Sequence, residues 1–137
     1  MIRPFIRIHT QQRILITGDR DWSDRDKISQ VLKRHLNPVV DYIIHGDARG
    51  ADRMGAEIAR KLGVPKDRIH AYPADWNTYH KAAGPIRNQQ MLTEGKPTLV
   101  LAFHNNITES KGTKDMVKIS LKAGLPVHLN GVRIQSI

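Results

Sequence analysis

The sequence contains no cysteine, few aromatic residues and no long apolar run. Without cysteine, disulfide bonds, thiolate zinc sites and cysteine nucleophiles are excluded. No stretch approaches the roughly 18 consecutive apolar residues that a transmembrane helix requires. The basic N-terminal stretch also lacks the continuous apolar core of a signal peptide. We therefore predict a cytoplasmic protein that does not associate with a membrane.

The motifs of several common enzyme classes are also missing. The chain has neither the G-x-G-x-x-G dinucleotide pattern nor the G-x-x-x-x-G-K-[ST] Walker pattern, and no G-x-S-x-G nucleophile elbow. Seven histidines are present, but none belongs to an H-x-x-x-H or H-E-x-x-H pair. We accordingly expect no metal site and no bound cofactor.

The length and charge of the chain predict one globular domain with an anionic partner. A chain of 137 residues is long enough to bury a core and short enough for a single domain spanning 1–137. Its 22 Lys and Arg against 13 Asp and Glu give a net charge of +9. This excess favours nucleotides, nucleic acid or an acidic protein, although solvated helix faces would also explain it.

Apolar runs and helical periodicities alternate along the chain. Runs typical of buried strands cover 13–18, 39–46, 68–76, 97–103 and 126–129. The first predicted helix starts at a capping-box pair, Ser23 and Asp26, and further helices are predicted around 51–62, 84–92 and 113–123. Such alternation indicates a parallel sheet with helices on both faces. We predict a Rossmann-like three-layer α/β sandwich with a mainly parallel sheet of about five strands.

The two ends of the chain carry the weakest strand signals. Residues 5–9 and 132–137 are candidates for additional edge strands. Residues 1–12 as a whole form either an extra edge strand or an arm. Neither interpretation changes the predicted order of the central strands.

Polar residues are concentrated in the loops that follow the predicted strands. Parallel sheets of this kind bind ligands at the carboxyl ends of their strands. The loops at that edge read GDRDW (18–22), HGDARGAD (45–52), PADWNTYH (73–80) and HNNITESKGT (104–113). This coincidence of position and composition predicts a ligand site formed by these loops.

The second of these loops has the composition of an anion cradle. Gly46 and Gly50 permit a close backbone approach or a positive φ, and the following helix directs free N–H groups at an anion. Arg49 adds positive charge. Asp47 or Asp52 accepts hydrogen bonds either from ribose hydroxyls or, as a cap, from those same N–H groups. The alternative is a glycine-bearing turn with an aspartate cap.

Two other predicted helix starts have features of an anion site. Gly112 allows an anion to approach the backbone closely, and Ser110 and Thr113 offer hydroxyl groups beside the same helix start. The alternative is that Ser110 or Thr113 acts as an ordinary helix cap. Arg87 falls in the first turn of the helix predicted from Gly84. Because the helix dipole disfavours a cation there, a ligand or acidic partner explains Arg87 better than local stability does.

The loop after the first strand offers charged groups and an aromatic ring. Asp19 and Arg20 follow the strand directly, and Trp22 closes the loop. Trp22 either stacks on a base or fastens the loop to the core, and a lone tryptophan more often does the latter.

Five segments together resemble one known family. The stretches ILITGDRDW, HGDARGADRMGAEIA, YPADW, GPIRNQQM and SKGT, in this order, are similar to the SLOG superfamily of Rossmann-like domains. The similarity is specifically to its YspA branch, which is related to YpsA, and it covers about residues 13–129. Relatives include the lonely-guy phosphoribohydrolases, the molybdenum cofactor carrier proteins and the DprA DNA-processing proteins. The resemblance implies a nucleotide-type ligand above the carboxyl edge of the sheet, and a homodimer.

The lonely-guy enzymes cleave the N-glycosidic bond of nucleoside monophosphates with an arginine and a glutamate. Arg87 and Met91 match the family's R-x-x-x-M motif. In the P-G-G-x-G-T-x-x-E motif, Gly112 and Thr113 match, but Met116 stands in the place of the glutamate. The carboxylate best suited to stabilise an oxocarbenium-like centre is therefore missing.

Three functional hypotheses follow. The first is a nucleotide or nucleoside-derivative binder, in which hydrolysis of the N-glycosidic bond stays open, with Arg87, Asp19 and Asp47 as its catalytic candidates. The second is a non-catalytic nucleotide sensor or sequestering module, and the third is a single-stranded nucleic-acid binder. The predicted ligand-binding residues are Gly18, Arg20, Trp22, His45, Gly46, Arg49, Gly50, Asp52, Asn88, Ser110, Gly112 and Thr113.

Overall fold

Six strands and five α-helices occur within residues 10–137, the part of the chain that this computed structural model describes. The strands are β1 (Arg13–Gly18), β2 (Tyr42–His45), β3 (Ile69–Ala71), β4 (Leu99–Phe103), β5 (Val127–Leu129) and β6 (Val132–Ile134). The helices are α1 (Arg25–His35), α2 (Ala51–Lys61), α3 (Trp76–Tyr79), α4 (Ala83–Thr93) and α5 (Gly112–Lys122). Over these residues no helix has the length and apolar character to cross a membrane.

All six strands belong to one sheet, in the order β3-β2-β1-β4-β5-β6. The first five are parallel to their neighbours, whereas β6 is antiparallel to β5. Asn130 and Gly131 form the turn between β5 and β6 with φ of 51° and 87°, the positive values that a tight hairpin turn requires. The predicted mainly parallel α/β fold and the edge strand within 132–137 are confirmed. The predicted strand over 5–9 lies outside the described residues.

Several predicted boundaries shift for local reasons. The strand predicted over 39–46 begins only at Tyr42, because Val40 and Asp41 donate to the Asn37 carbonyl oxygen and form a turn. The strand predicted over 68–76 shrinks to β3 at the edge of the sheet. The Ser23–Asp26 capping box is wrong by one residue, since the Asp24 carboxylate accepts the Lys27 N–H at 3.0 Å and caps α1.

The central strands are buried on both sides. Ile14 and Ile16 of β1 belong to one apolar cluster, to which α1 and α2 contribute. Leu15 belongs to a second cluster, to which α4 and α5 contribute. Because side chains alternate along a strand, β1 reads as a continuous apolar run, as expected for a doubly covered parallel strand. The loops that leave β1 and β4 therefore start from well-packed positions.

Candidate functional site

The candidate site lies where the strand order changes direction. From β1 the chain proceeds to β2 and β3 on one side, and it then crosses to the other side of β1 to form β4. The carboxyl ends of β1 and β4 lie side by side, with Gly18 paired to Phe103 and the Asp19 N–H donating to the Phe103 carbonyl oxygen at 2.9 Å. Open α/β sheets bind ligands in the crevice at such a switch point.

A cleft of about 610 Å³ occupies this crevice, a volume within the usual range for small-molecule sites. It is formed by the loops after β1, β2, β3 and β4 and by the first turns of α4 and α5. The lining contains five Lys or Arg side chains and three Asp side chains, so its charge favours an anion. Its residues are Thr17, Gly18, Asp19, Arg20, Asp21, Ala48, Arg49, Asp52, Trp76, Lys81, Gly84, Pro85, Arg87, Asn88, His104, Ser110, Lys111, Gly112 and Thr113.

Most of the residues that the sequence singled out meet in this cleft. The ones that line it are Gly18, Asp19, Arg20, Arg49, Asp52, Arg87, Asn88, Ser110, Gly112 and Thr113. The ones that do not are Trp22, His45, Gly46, Asp47 and Gly50. The cleft thus brings four separate loops together, as the parallel sheet predicted, and excludes part of the second loop.

Trp22 is a core residue and not a stacking surface for a base. Only 7% of it is exposed, and its ring centroid lies 5.7 Å from that of Phe103. Its indole N–H donates to the Asp24 carbonyl oxygen at 2.9 Å, so its polar atom is also satisfied. These contacts favour the alternative, that Trp22 fastens the loop to the core, over the ligand-binding assignment.

Asp47 does not lie in the cleft. Its backbone has a φ of 56°, a left-handed conformation that aspartate tolerates better than most residues. Its carboxylate pairs with the Arg53 Nε at 3.2 Å in a partly exposed position. The sequence-based assignment of Asp47 to catalysis consequently finds no support in the geometry.

Packing within the protein requires a glycine at position 50, whereas Gly46 lies against the end of the Arg87 side chain. Gly50 has a φ of 78°, and a Cβ there would overlap the backbone of Asp19 and Arg20. Gly46 has no positive φ, and a Cβ there would overlap the Arg87 guanidinium. The positive φ that the sequence predicted for this loop occurs at Gly50, and direct phosphate contact by either glycine stays a prediction.

His45 and Asp52 hold the same loop in place. The Asp47 N–H donates to His45 Nδ1 at 3.0 Å, and burial lowers the pKa of His45, so the ring is neutral at pH 7. Asp52 accepts the N–H groups of Gly46 at 3.1 Å and Ala48 at 3.4 Å through Oδ2. Asp52 therefore binds N–H groups of the loop that precedes α2 and borders the cleft; the predicted helix cap is wrong, because no side chain caps the N-terminus of α2.

Arg87 connects three elements around the cleft. It donates to the Gly46 and Tyr72 carbonyl oxygens and, through Nε, to Asn88 Oδ1 at 3.0 Å. Because α4 begins at Ala83, Arg87 lies in the second turn of the helix and not in the first. The expected unfavourable interaction between Arg87 and the helix dipole is therefore small. The unusual feature of Arg87 is that its guanidinium is partly buried.

Asn88 fixes the first turn of α5 against α4. It is 2% exposed, and its Nδ2 donates to the Gly112 carbonyl oxygen at 3.2 Å and to Asp115 Oδ2 at 2.9 Å. Ser110 Oγ accepts the N–H groups of Thr113 at 3.1 Å and Lys114 at 3.4 Å, so Ser110 acts as the helix cap. Gly112 lies between these contacts, and apart from its chain neighbours and the backbone of its own helix, no atom of residues 10–137 is within 4 Å of the position that a Cβ would take there.

Nine residues of the cleft lining were not among the predicted site residues. They are Thr17, Asp21, Ala48, Trp76, Lys81, Gly84, Pro85, His104 and Lys111. Trp76 is 47% exposed, and the Arg20 guanidinium carbon lies 5.4 Å from its ring centroid. The sequence did carry a signal for Trp76 and His104. Trp76 lies in the segment that follows β3, and His104 directly follows β4, so both were expected near the carboxyl edge of the sheet.

Met116 is buried in the core. It is fully inaccessible and belongs to the apolar cluster that includes Met91 and Val117. The helical position that carries a glutamate in the lonely-guy enzymes thus supplies no polar group to this cleft. Asp115, its neighbour, is engaged by Asn88.

Burial raises the pKa of Asp52 to about 6 from an ordinary value of 3.8, against the opposing effects of Arg87 and the two backbone N–H groups. The folded protein therefore binds this proton more tightly than the unfolded chain does. The stability that protonation of Asp52 confers is fully present below about pH 3.8 and is lost as the pH rises through about 6.

The variant Asp52→Asn is expected to remove this pH dependence. Asparagine stays neutral and still offers an oxygen to Gly46 and Ala48, so the variant gains stability relative to wild type by roughly 2–3 kcal/mol between pH 4 and pH 8. Urea unfolding of both proteins across that range measures the difference. Parallel profiles would contradict the assignment, and Asp47→Asn reports whether any loss of negative charge in this loop has the same effect.

The sheet order and the cleft at its switch point define a Rossmann-like α/β protein. The chain belongs to the YspA, cpYpsA-related SLOG family, whose sequence model matches residues 12–79, from β1 to the end of α3. It is also 35% identical over 122 residues to the gene 61 protein of Mycobacterium phage D29, an alignment that spans 85% of this chain and 94% of that protein. No solved structure matches the chain.

Proposed function

We propose that the cleft binds a nucleotide or another phosphorylated nucleoside derivative and holds it without cleaving the N-glycosidic bond. The observation that carries this proposal is the joint presence, in one cleft, of a helix start with open space above a glycine, an excess of basic side chains and a half-exposed tryptophan. The first two features suit a phosphate, and the tryptophan suits a base. Family membership supports a nucleotide-related ligand in general.

The phosphate end of the ligand is assigned to the first turn of α5. The helix dipole favours an anion there, although the Thr113 and Lys114 N–H groups already bond to Ser110 Oγ. Gly112 leaves room for a phosphate oxygen to approach the backbone, and Lys111 and Arg87 border the same cleft. Arg87 is held by carbonyl oxygens, so its charge is positioned before a ligand arrives.

The base end is assigned to Trp76. Its ring borders the cleft with about half of its surface exposed, and Arg20 lies over it at a distance suited to a cation–π contact. A planar base stacks favourably on such a ring. Two cleft walls of different chemistry thus match the two ends of a nucleotide.

Binding without turnover is the better supported of the two nucleotide hypotheses. Met116 lies in the core where the related hydrolases carry their glutamate. Asp115 is occupied by Asn88, and Asp47 lies outside the cleft. A sensor or a sequestering protein needs the binding groups of this cleft but no such carboxylate.

The test combines thermal-shift screening with chromatography of each stabilising mixture. A ligand that binds only the folded state raises its melting temperature, so we expect stabilisation by at least one nucleotide or nucleoside derivative, recovered intact after hours of incubation. Recovery of free base and sugar phosphate would instead establish an N-glycosidase. Absence of any stabilising compound would overturn nucleotide binding.

A shallow groove next to the cleft favours binding of single-stranded nucleic acid as a second candidate function. Arg20, Arg25, Arg49 and Arg53 line it. However, Arg25, Arg49 and Arg53 each pair with a carboxylate at 3.2–3.3 Å, so much of this charge is balanced. Binding to a single-stranded oligonucleotide with an affinity that falls steeply with salt would favour this candidate.

The quaternary structure and cellular location stay predictions from the sequence. A homodimer is testable by size-exclusion chromatography with light scattering at several protein concentrations. The three-layer arrangement is supported by the two apolar clusters, to which different pairs of helices contribute.

A further inference from the structure

Two polar side chains face each other where the two switch-point strands end. Asp19 follows β1 and His104 follows β4, and both line the cleft. The distance between His104 Nε2 and Asp19 Oδ2 is 3.9 Å. The side chains are 13% exposed for His104 and 34% exposed for Asp19, so a ligand in the cleft can reach them.

Each of these side chains is oriented by its own loop. Asp19 Oδ1 accepts the Asp21 N–H at 2.9 Å, which leaves Oδ2 directed toward His104. His104 Nδ1 accepts the Asn106 N–H at 2.9 Å, so the neutral ring carries its proton on Nε2. Asn130 bonds both the N–H and the carbonyl oxygen of His104 and fixes its backbone. One acceptor and one donor are thus held in position.

The gap between them fits a group that both donates and accepts. A separation of 3.9 Å is too long for a direct hydrogen bond. A hydroxyl oxygen at about 2.8 Å from each would donate to Asp19 and accept from His104. A phosphate oxygen would be repelled by Asp19, and an exocyclic amine would meet the His104 donor. A hydroxyl satisfies both groups.

We propose that Asp19 and His104 together bind a ribose hydroxyl and make the cleft selective for ribonucleotides over deoxyribonucleotides. This inference rests on the proposed function, since it assigns the sugar of the same ligand. A site built to hydrogen-bond a hydroxyl discriminates strongly against an analogue that lacks it, because its polar groups are then left unpaired. Asp19 and His104 act as specificity-determining residues.

Isothermal titration calorimetry tests the proposal with the four ribonucleoside 5′-monophosphates and their 2′-deoxy and 3′-deoxy forms. For the wild-type protein, we expect at least one deoxy form of the bound nucleotide to bind at least about tenfold more weakly. In Asp19→Ala and His104→Ala, we expect the ribonucleotide to fall to the affinity of that deoxy form. The deoxy form itself should bind the variants about as well as it binds wild type.

The design separates recognition from a structural effect. A purely structural role would weaken the ribo and deoxy forms equally in both variants and would overturn the inference. Asp67→Ala and His70→Ala, which replace the same residue types outside the cleft lining, should retain wild-type selectivity. Equal binding of ribo and deoxy forms by the wild type would defeat only this inference. Absence of binding by every probe would defeat this inference, and absence of any stabilising compound in the wider thermal-shift screen would defeat the proposed function as well.

Discussion

Replacement of Arg87 by methionine is expected to lower both the stability of the fold and its affinity for a nucleotide. The guanidinium donates to the Gly46 and Tyr72 carbonyl oxygens and to Asn88, and its positive charge stabilises the ionised carboxylate of the buried Asp52. Methionine keeps the length of the chain but leaves these acceptors unpaired. We expect a loss of about 2–4 kcal/mol in the free energy of unfolding, and roughly a hundredfold weaker binding.

Urea unfolding and calorimetry of Arg87→Met measure these two effects, with binding recorded at a temperature at which circular dichroism shows the variant folded. Arg25→Met is the matched control, because Arg25 is exposed and pairs with Glu57 on the surface, where such pairs contribute little. A variant Arg87→Met as stable as wild type would contradict the structural role. Unchanged nucleotide affinity would contradict the role in binding.

The order of the elements was predictable because strong local signals determine it. β1 has the predicted bounds 13–18, since a continuous apolar run that ends in glycine has few alternatives to a buried strand. The bounds of weakly predicted elements differ from those in the structure where tertiary contacts compete with the local sequence pattern. The strand predicted over 68–76 keeps only the residues that pair with β2, because an edge strand extends only as far as its partner.

The loops of the site were predictable, but the direction of individual side chains was not. Trp22 and Trp76 each follow an aspartate in a loop after a strand. Trp22 is buried because Phe103, from the distant strand β4, packs against it, whereas Trp76 stays half exposed. Asp47 and Asp52 also differ, although both belong to the segment 45–52: Asp52 is buried and borders the cleft, whereas Asp47 is partly exposed and lies outside it. A single sequence carries no signal for such contacts between distant segments.

The substitution Gly112→Ala is expected to impair binding without impairing the fold. Outside its chain neighbours and the backbone of its own helix, no atom of the described residues lies within 4 Å of the position that a Cβ would take, and Gly112 has no positive φ. Alanine in a helix is up to about 1 kcal/mol more favourable than glycine, so the free energy of unfolding should be unchanged or higher. The added methyl group would nevertheless stand where a phosphate approaches the first turn of α5, and we expect at least about tenfold weaker nucleotide binding.

The contrast with Gly50→Ala makes this measurement decisive. Gly50 has a φ of 78°, and its Cβ would overlap the backbone of Asp19 and Arg20, so the same chemical change should destabilise the fold by about 1–3 kcal/mol. A loss of affinity in Gly112→Ala at full stability would locate the phosphate at α5, since a folding defect is then excluded as its cause. Full affinity in that variant would move the phosphate elsewhere in the cleft, where Lys81 and Arg20 are further cations of the lining.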